Sequence, residues 1–468
     1  MCGIAGYFSR NGEFAPAQVV LALYAQQHRG QESCGIAATD GKFLRRHRAM
    51  GYVKEAFPNQ KLQELPGLAA IGHVRYPTRG SSVLTNTQPH LIETLSGPIY
   101  AIASNGDVVN YDEVANELQV KGVHFTSRND GELLGRFIVY YHEREGKTIP
   151  EAIKLLMKRI KGAYSAVFLT RDTLYAFRDI HGFRPMMLGR VGEDMALASE
   201  SCAMDILRAD SVREVQPGEI VAITPHREYF THYNDPTLLP ETAEHPVHHC
   251  IFELIYFARP DSYQFGEYVY EVRHKIGARL ASYDDFDGDV VVPVPDSANF
   301  IAMGYAKATG IPLELGLIRN HYVGRTFIRP DQFTRDESVR QKFNPLRDFF
   351  TDKRIILVDD SIVRGTTIRK IVRMLRGAGA REVHLRIGSP PVRFPCYYGI
   401  DTPTYEELIA NTLEESEICR YVEADSLKYL QWEDLRRCVK APDNFCYACF
   451  DGDYPVPKPT TEASFSSC

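Results

Sequence analysis

Three observations predict a two-domain chain, α+β in its first half and α/β with a mainly parallel sheet in its second. Roughly the first 230 residues carry many short apolar segments (67–73, 98–103, 164–170, 195–198) broken by Gly, Asn and Pro, with few helical patterns (16–27 and 130–141), a strand-rich layered arrangement. A polar, proline-bearing stretch at 234–246 then interrupts the pattern. Beyond it, apolar runs at 290–294, 355–358 and 383–387 alternate with helical spacing at 298–309 and 367–375, the signature of βαβ units. The expected division is a first domain at 1–235, a second at 236–455, and a loose tail at 456–468 rich in Pro, Ser and Thr. At 468 residues the chain is too long for one compact core.

The second half carries the most informative line. Ile355 to Val358 is a continuous apolar run suited to a strand buried on both faces, and Ile368, Ile371, Val372 and Leu375 repeat at helical spacing. Between them stand Asp359, Asp360, Ser361, Arg364, Gly365, Thr366 and Thr367. Unpaired N–H groups at a helix start, with Ser and Thr hydroxyls, form an anion cradle. Vicinal carboxylates just before it accept hydrogen bonds from sugar hydroxyls or coordinate Mg²⁺. Ligands of parallel sheets sit at strand carboxyl ends, where Asp296 and Ser297 also fall. No G-x-x-x-x-G-K-[ST] phosphate loop and no G-x-G-x-x-G dinucleotide fingerprint occurs. The segment 319–345 is rich in charge, Gly and Pro and long for a connection, which reads as a lid.

This loop resembles the phosphoribosylpyrophosphate (PRPP) motif of type I phosphoribosyltransferases. The resemblance implies that Asp359 and Asp360 hold the ribose hydroxyls and metal while Ser361 and Arg364 to Thr367 wrap the 5′-phosphate. It also implies Asp296 and Ser297 on the pyrophosphate side, Arg325 reaching the pyrophosphate from the lid, and one Mg²⁺ per subunit held by Ser297, Asp359 and Asp360.

At the other end Cys2 follows the initiator Met1. Methionine removal leaves a cysteine with a free α-amine. With pKa values of about 8.5 for the thiol and 7.7–8.0 for the amine, one residue then supplies both nucleophile and base. Five segments, Cys2-Gly-Ile-Ala-Gly6, His28-Arg-Gly30-Gln-Glu32, Gly72-His-Val-Arg75-Tyr-Pro-Thr78, Ser104-Asn105-Gly106 and Asp130-Gly-Glu132, occur in the order seen in class II glutamine amidotransferase domains. Those domains are N-terminal-nucleophile hydrolases with αββα layers. The resemblance implies that Cys2 attacks the glutamine amide and that Asn105 and the Gly106 N–H form the oxyanion hole. It also implies that Arg75 clamps the substrate α-carboxylate, Asp130 receives its α-ammonium, and Gly30 and Thr78 line the pocket. Ser104 departs from the pattern, which has histidine there.

The two motif sets in this order resemble glutamine PRPP amidotransferases along nearly the whole chain, with further agreement at Glu253-Leu-Ile-Tyr-Phe-Ala-Arg-Pro-Asp261-Ser262 and Asn320-His-Tyr-Val-Gly-Arg325-Thr326. The resemblance implies conversion of PRPP and glutamine to 5-phosphoribosylamine, pyrophosphate and glutamate, the committed step of purine synthesis. It further implies that ammonia passes internally near Tyr256 and Phe257, that purine nucleotides act as feedback inhibitors, and that the assembly is a homotetramer. A PRPP-sensing regulatory protein without catalysis is the alternative reading; the presence of Cys2, Arg75, Asn105 and Asp130 favours the enzyme.

Of the ten cysteines, Cys446 and Cys449 form a C-x₂-C pair that the distant Cys250 and Cys396 complete to four. Four thiolates suit Zn²⁺ or a [4Fe–4S] cluster, and spacing does not choose. These positions match the ligands of the iron–sulfur branch of the family, which implies a structural cluster. Cys34, Cys202, Cys419, Cys438 and Cys468 read as ordinary thiols. A net charge of −6 without a long basic block argues against nucleic acid as partner, and the cluster Arg45, Arg46, His47, Arg48 reads as a solvated turn. No apolar run of about 18 residues and no signal pattern occurs, so neither a membrane nor secretion is expected and the cytoplasm is the default location.

Overall fold

A computed structural model describes residues 1–76, 82–94, 97–232, 246–321, 341–402 and 404–458. The first half stacks two antiparallel sheets. One runs in the order Ser211–Glu214, Met187–Val191, Asp194–Ala198, Gly3–Phe8, Ala69–Arg75, Ser33–Thr39, Leu44–Met50; the other runs Glu228–His232, Glu219–Ile223, Leu174–Arg178, Gly162–Leu169, Gly97–Val108, His90–Thr94. Because side chains alternate across a strand, each sheet has two apolar faces to cover. The inner faces meet through Ile4, Phe8, Ile71, Ala103, Val167, Leu188 and Leu197. The outer face of the first sheet packs against Val19 and Leu23 of the helix Ala15–Ala25. That of the second packs against Leu134, Phe137 and Ile153 of the helices Asp130–Glu143 and Ile149–Arg159. These are the expected αββα layers.

The second half holds a parallel sheet in the order Val290–Pro293, Arg354–Asp359, Glu382–Ile387, Ser426–Tyr429. The central strand is buried from Ile355 to Asp359 because neighbours cover both its faces, which is why Ile355 to Val358 is continuously apolar. The helices Val269–Ala281, Asn299–Thr309 and Thr366–Gly377 supply that cover. The ends of the long connection close as an antiparallel ribbon, Leu317–Arg319 against Phe343–Pro345, and residues 322–340 between them lie outside the described residues.

Two readings change. Arg45, Arg46, His47 and Arg48 form no solvated turn: they lie in the strand Leu44–Met50. Their stems cover the sheet edge while their heads reach carbonyls, Arg46 Nη1 donating to Pro89 O at 3.2 Å and Arg48 Nη1 to Thr87 O at 2.5 Å. Burial and the neighbouring Arg48 push Arg46 down to about 10. Val456, assigned to the loose tail on composition, is 6% exposed and docks on Tyr398, whose hydroxyl donates to Val456 O at 2.6 Å and accepts from Val456 N at 3.0 Å. Residues 459–468 and the domain boundary at 235/236 lie outside the described residues.

Candidate active sites

The first strand delivers Cys2 to the site. Gly3 pairs with Val74 and Arg75 with Ser33, so Cys2, Arg75 and the residue before Ser33 come together at one end of the first sheet. Asn105 and Gly106 come from the second sheet, opposite Ser165 and Tyr164. The sheets meet at Cys2: its backbone N–H donates to Asn105 Oδ1 at 3.0 Å, and its thiol lies 3.6 Å from Tyr76 O. Asn105 is fully buried, yet its Nδ2 donates to nothing among the described residues. An amide group with one end engaged and a buried donor at the other is an arrangement that ordinarily costs stability, and such groups mark functional sites.

Gly106 adopts φ 151°, and a Cβ there would sit 1.9 Å from Ala163 O, so only glycine leaves its strand unshifted beside the nucleophile. Gly106→Ala is therefore expected to cost roughly 2–4 kcal/mol of stability and to suppress chemistry at Cys2; denaturant unfolding and a glutaminase assay read both. Gly30 is equally constrained, its hypothetical Cβ lying 2.5 Å from the Arg75 carbonyl carbon.

Arg75 is 2% exposed and its Nη1 donates to Glu32 Oε1 at 3.0 Å. Glu32 stood in the motif read from sequence without a role; the structure makes it the group that orients the Arg75 fork. Asp130 opens its helix, 8% exposed, and its Oδ2 accepts from Val108 N at 3.2 Å, two residues from Gly106. Asn129 caps that helix by accepting from Gly131 N at 2.9 Å. Thr78 lies outside the described residues.

In the second half, Pro293 pairs with Val358, so the 295–297 turn and Asp359-Asp360 leave adjacent strand ends together. Asp359 and Asp360 are 8% and 5% exposed. Asp359 Oδ1 accepts from Asp360 N at 2.9 Å, and Ser361 Oγ donates to Asp360 Oδ1 at 2.7 Å. Burial raises both carboxyls above the usual range, Asp359 further through the adjacent Asp360 charge, while hydrogen bonds from Ser297 and Ser361 and the charge of Arg273 restrain Asp360. Gly365 takes φ 74° as the N-cap of the helix Thr366–Gly377, with Arg364, Thr366 and Thr367 exposed around it. Arg364 Nη2 donates to Glu407 Oε2 at 3.1 Å, and Arg319 Nη1 to Asp296 Oδ2 at 2.5 Å, partners the sequence did not announce. Arg325 lies outside the described residues.

Cys250, Cys396, Cys446 and Cys449 line one cavity, walled by Phe183, Phe252 and Tyr398. The strand His249–Cys250 pairs in parallel with Phe445–Cys446, which sets Cys250 beside Cys446. Burial pushes Cys250 up to about 11 and raises Cys446 and Cys449 well above the usual thiol range. Among the described residues no three His, Cys, Asp or Glu groups converge as a site for a metal ion. The nine described cysteines are free thiols.

Two domain families match the chain: a glutamine amidotransferase domain over residues 81–205 and a phosphoribosyl transferase domain over residues 265–387. An amidophosphoribosyltransferase of Methanothermobacter thermautotrophicus is 44% identical over 468 residues, covering 100% of this chain and 97% of its own. One from Synechococcus elongatus is 45% identical over 465 residues, covering 98% and 92%. Among solved structures, the glutamine PRPP amidotransferase of B. subtilis complexed with ADP and GMP superposes with TM-score 0.87 at 40% identity, over 97% of this chain and 98% of that one. A structure described as the allosteric regulatory enzyme of purine biosynthesis gives 0.90 at 40% identity, over 100% and 99%. With the likeness extending through both halves, the chain belongs to the amidophosphoribosyltransferase family.

Proposed function

We propose that Cys2 takes the amide nitrogen from glutamine and that the second half transfers it to C1 of PRPP, giving 5-phosphoribosylamine, pyrophosphate and glutamate at the entry to purine nucleotide synthesis. The observation that carries this reading is Asn105, whose Oδ1 holds the Cys2 nitrogen while its buried Nδ2 has no acceptor among the described residues. Loss of Met1 turns that nitrogen into an α-amine. The amine takes the thiol proton, the sulfur attacks the side-chain carbonyl, and Nδ2 with the Gly106 N–H receives the charge growing on oxygen. Each such donor contributes about 3–4 kcal/mol to the transition state. The proton passes to the departing nitrogen as the C–N bond breaks, and water then hydrolyses the thioester to glutamate. Arg75, oriented by Glu32, and Asp130 hold the two charged ends of the substrate.

Released ammonia has a sheltered neighbourhood to cross. Phe257 meets Tyr76 edge-on at 6.5 Å, and Tyr256 meets Phe257 at 4.9 Å, an aromatic seam beginning beside the Cys2 thiol. At the second site the exposed start of the helix Thr366–Gly377 suits the 5′-phosphate, and Asp359 and Asp360 suit the ribose hydroxyls. Ser297, Asp359 and Asp360 are the oxygen donors that would hold Mg²⁺, which supplies charge neutralisation for the departing pyrophosphate. The B. subtilis relative was solved with ADP and GMP, which supports purine nucleotides as ligands here too.

The four cysteines line one cavity and supply the thiolate donors that a [4Fe–4S] cluster takes. The same cavity brings Cys446 and Cys449 beside Phe183 and Arg184 of the first half. Anaerobically purified protein is expected to carry about four iron and four acid-labile sulfide per chain; stoichiometric zinc without sulfide would sink this assignment. The activity is tested by incubating the protein with PRPP, Mg²⁺ and glutamine, where pyrophosphate and glutamate are expected to appear together. Binding of PRPP and glutamine without turnover would instead favour the regulatory alternative.

A further inference from the structure

The Cys2 backbone is held by Arg29, whose Nε donates to Cys2 O at 3.0 Å. Arg29 is fully buried, and the rest of its fork ends on two carboxylates far along the chain. Nη1 and Nη2 donate to Glu253 Oε2 and Oε1 at 3.0 and 2.7 Å, and Nη1 also meets Glu200. Glu200 comes from the glutaminase half, at the end of the strand Asp194–Ala198, and is further engaged by His28, the Arg259 N–H and the Ser262 hydroxyl. Glu253, itself fully buried, opens the π-helical turn Glu253–Phe257. Such turns interrupt regular helix geometry and are frequent at functional sites. The turn is gripped by Arg273 from the helix Val269–Ala281, with Nε donating to Leu254 O at 3.0 Å and Nη2 to Ala258 O at 2.8 Å. Arg273 also extends its charge to Asp360 of the second site.

Glutamine chemistry needs the Cys2 sulfur and nitrogen fixed against Asn105, and a backbone carbonyl locked by a buried guanidinium is one way to fix them. That guanidinium has a forked ion pair only because Glu253 reaches it from the turn that opens the second half. Resting on the assignment of Cys2 as nucleophile, we infer that Glu253 is a positioning residue for the glutaminase, supplied by the transferase half through Arg29 and kept in place by Arg273. The carboxylate touches no substrate. Its effect is to make the geometry of Cys2 depend on the 253–257 turn, which also carries the Tyr256 and Phe257 rings of the aromatic seam.

Glu253→Gln keeps the shape and removes the charge, leaving Arg29 still paired with Glu200. The expected result is a kcat for glutamine hydrolysis lower by about tenfold with the glutamine KM within about twofold. Pyrophosphate release with ammonium chloride replacing glutamine is expected to hold within about twofold, and the thermal midpoint within about 3 °C. Arg273→Lys cannot fork across two carbonyls and is expected to lower the same kcat about threefold; it decides the matter alone if E253Q does not fold. Glu253→Asp, which restores a carboxylate, is expected to recover part of the E253Q loss. An unchanged glutamine kcat in both E253Q and R273K overturns the inference. So does a parallel fall of glutamine rate, ammonia rate and thermal midpoint, because the pair would then merely hold the halves together. A wild-type chain that uses ammonia but not glutamine overturns the Cys2 assignment instead, and the same assays read that first.

Discussion

Cys2→Ala is expected to remove glutamine-dependent phosphoribosylamine formation, by more than about 10³-fold, while ammonia-dependent formation stays within about twofold of wild type. The asymmetry follows from placement. Cys2 sits at the end of the first strand of the αββα half, whereas Asp359 and Asp360 end the central strand of a separate parallel sheet with its own core. Removing one sulfur from the first site leaves the second site's contacts untouched. Asn105→Ala should produce the same split less severely, by about 10²–10³-fold, because the nucleophile survives while the Nδ2 donor to the oxyanion and the Oδ1 acceptor that holds the Cys2 nitrogen are lost together. Its glutamine KM should change little, since Nδ2 is placed for charge that develops after binding. Separate assays with glutamine and with ammonium chloride measure both variants. Equal survival of the two activities in Cys2→Ala would remove the nucleophile assignment.

The features legible in the sequence were those whose physics is local. The Asp359-Asp360 loop could be read because strand, acids, turn and helix are contiguous, and the period changes within a dozen residues. Cys2, Arg75, Asn105 and Asp130 were recoverable only as members of motifs in order; the contacts that join them cross from one sheet to the other. Glu32 lay in plain view inside a motif, and its task appeared only when Arg75 came within hydrogen-bond reach. The Arg29 node was not legible at all. Its carboxylate partners are 171 and 224 positions away, and a charged residue destined for burial looks in sequence like any surface residue. The strand Leu44–Met50 was missed for the same reason, since three arginines and a histidine leave no apolar alternation to read. The same buried charges reach from the first half into the second at the Arg29 node.

Asp359→Asn is expected to have opposite effects on activity and on stability. Both carboxyls are nearly buried and adjacent, and of the cations whose charge reaches them, Lys342 at Asp359 and Arg273 at Asp360, the second is committed to the carbonyls of Leu254 and Ala258. Burial and mutual repulsion raise the folded-state pKa of Asp359 above its unfolded value. Below the unfolded value of about 3.9 both states are protonated and the pair costs nothing. As pH rises past it, the unfolded chain ionises first, so stability falls until the folded-state pKa is reached and remains lower above it. An asparagine does not ionise, so without Mg²⁺ the variant should be more stable than wild type at pH 8, by about 1–2 kcal/mol on the scale of relieving one poorly compensated buried polar group. That advantage should vanish near pH 4. Activity should move the other way, falling at least about 10²-fold, with glutamine and with ammonia alike, because the lost oxygen serves the site where both nitrogen sources converge. Added Mg²⁺ and pyrophosphate should stabilise wild type more than the variant, since a bound cation offsets the repulsion that the variant has already lost. Denaturant unfolding between pH 4 and 8, with pyrophosphate release measured beside it, reads all of this. A variant less stable than wild type at pH 8 would mean that the pair is compensated within the fold, and the strand end would then be a structural turn rather than a site held open for a cation.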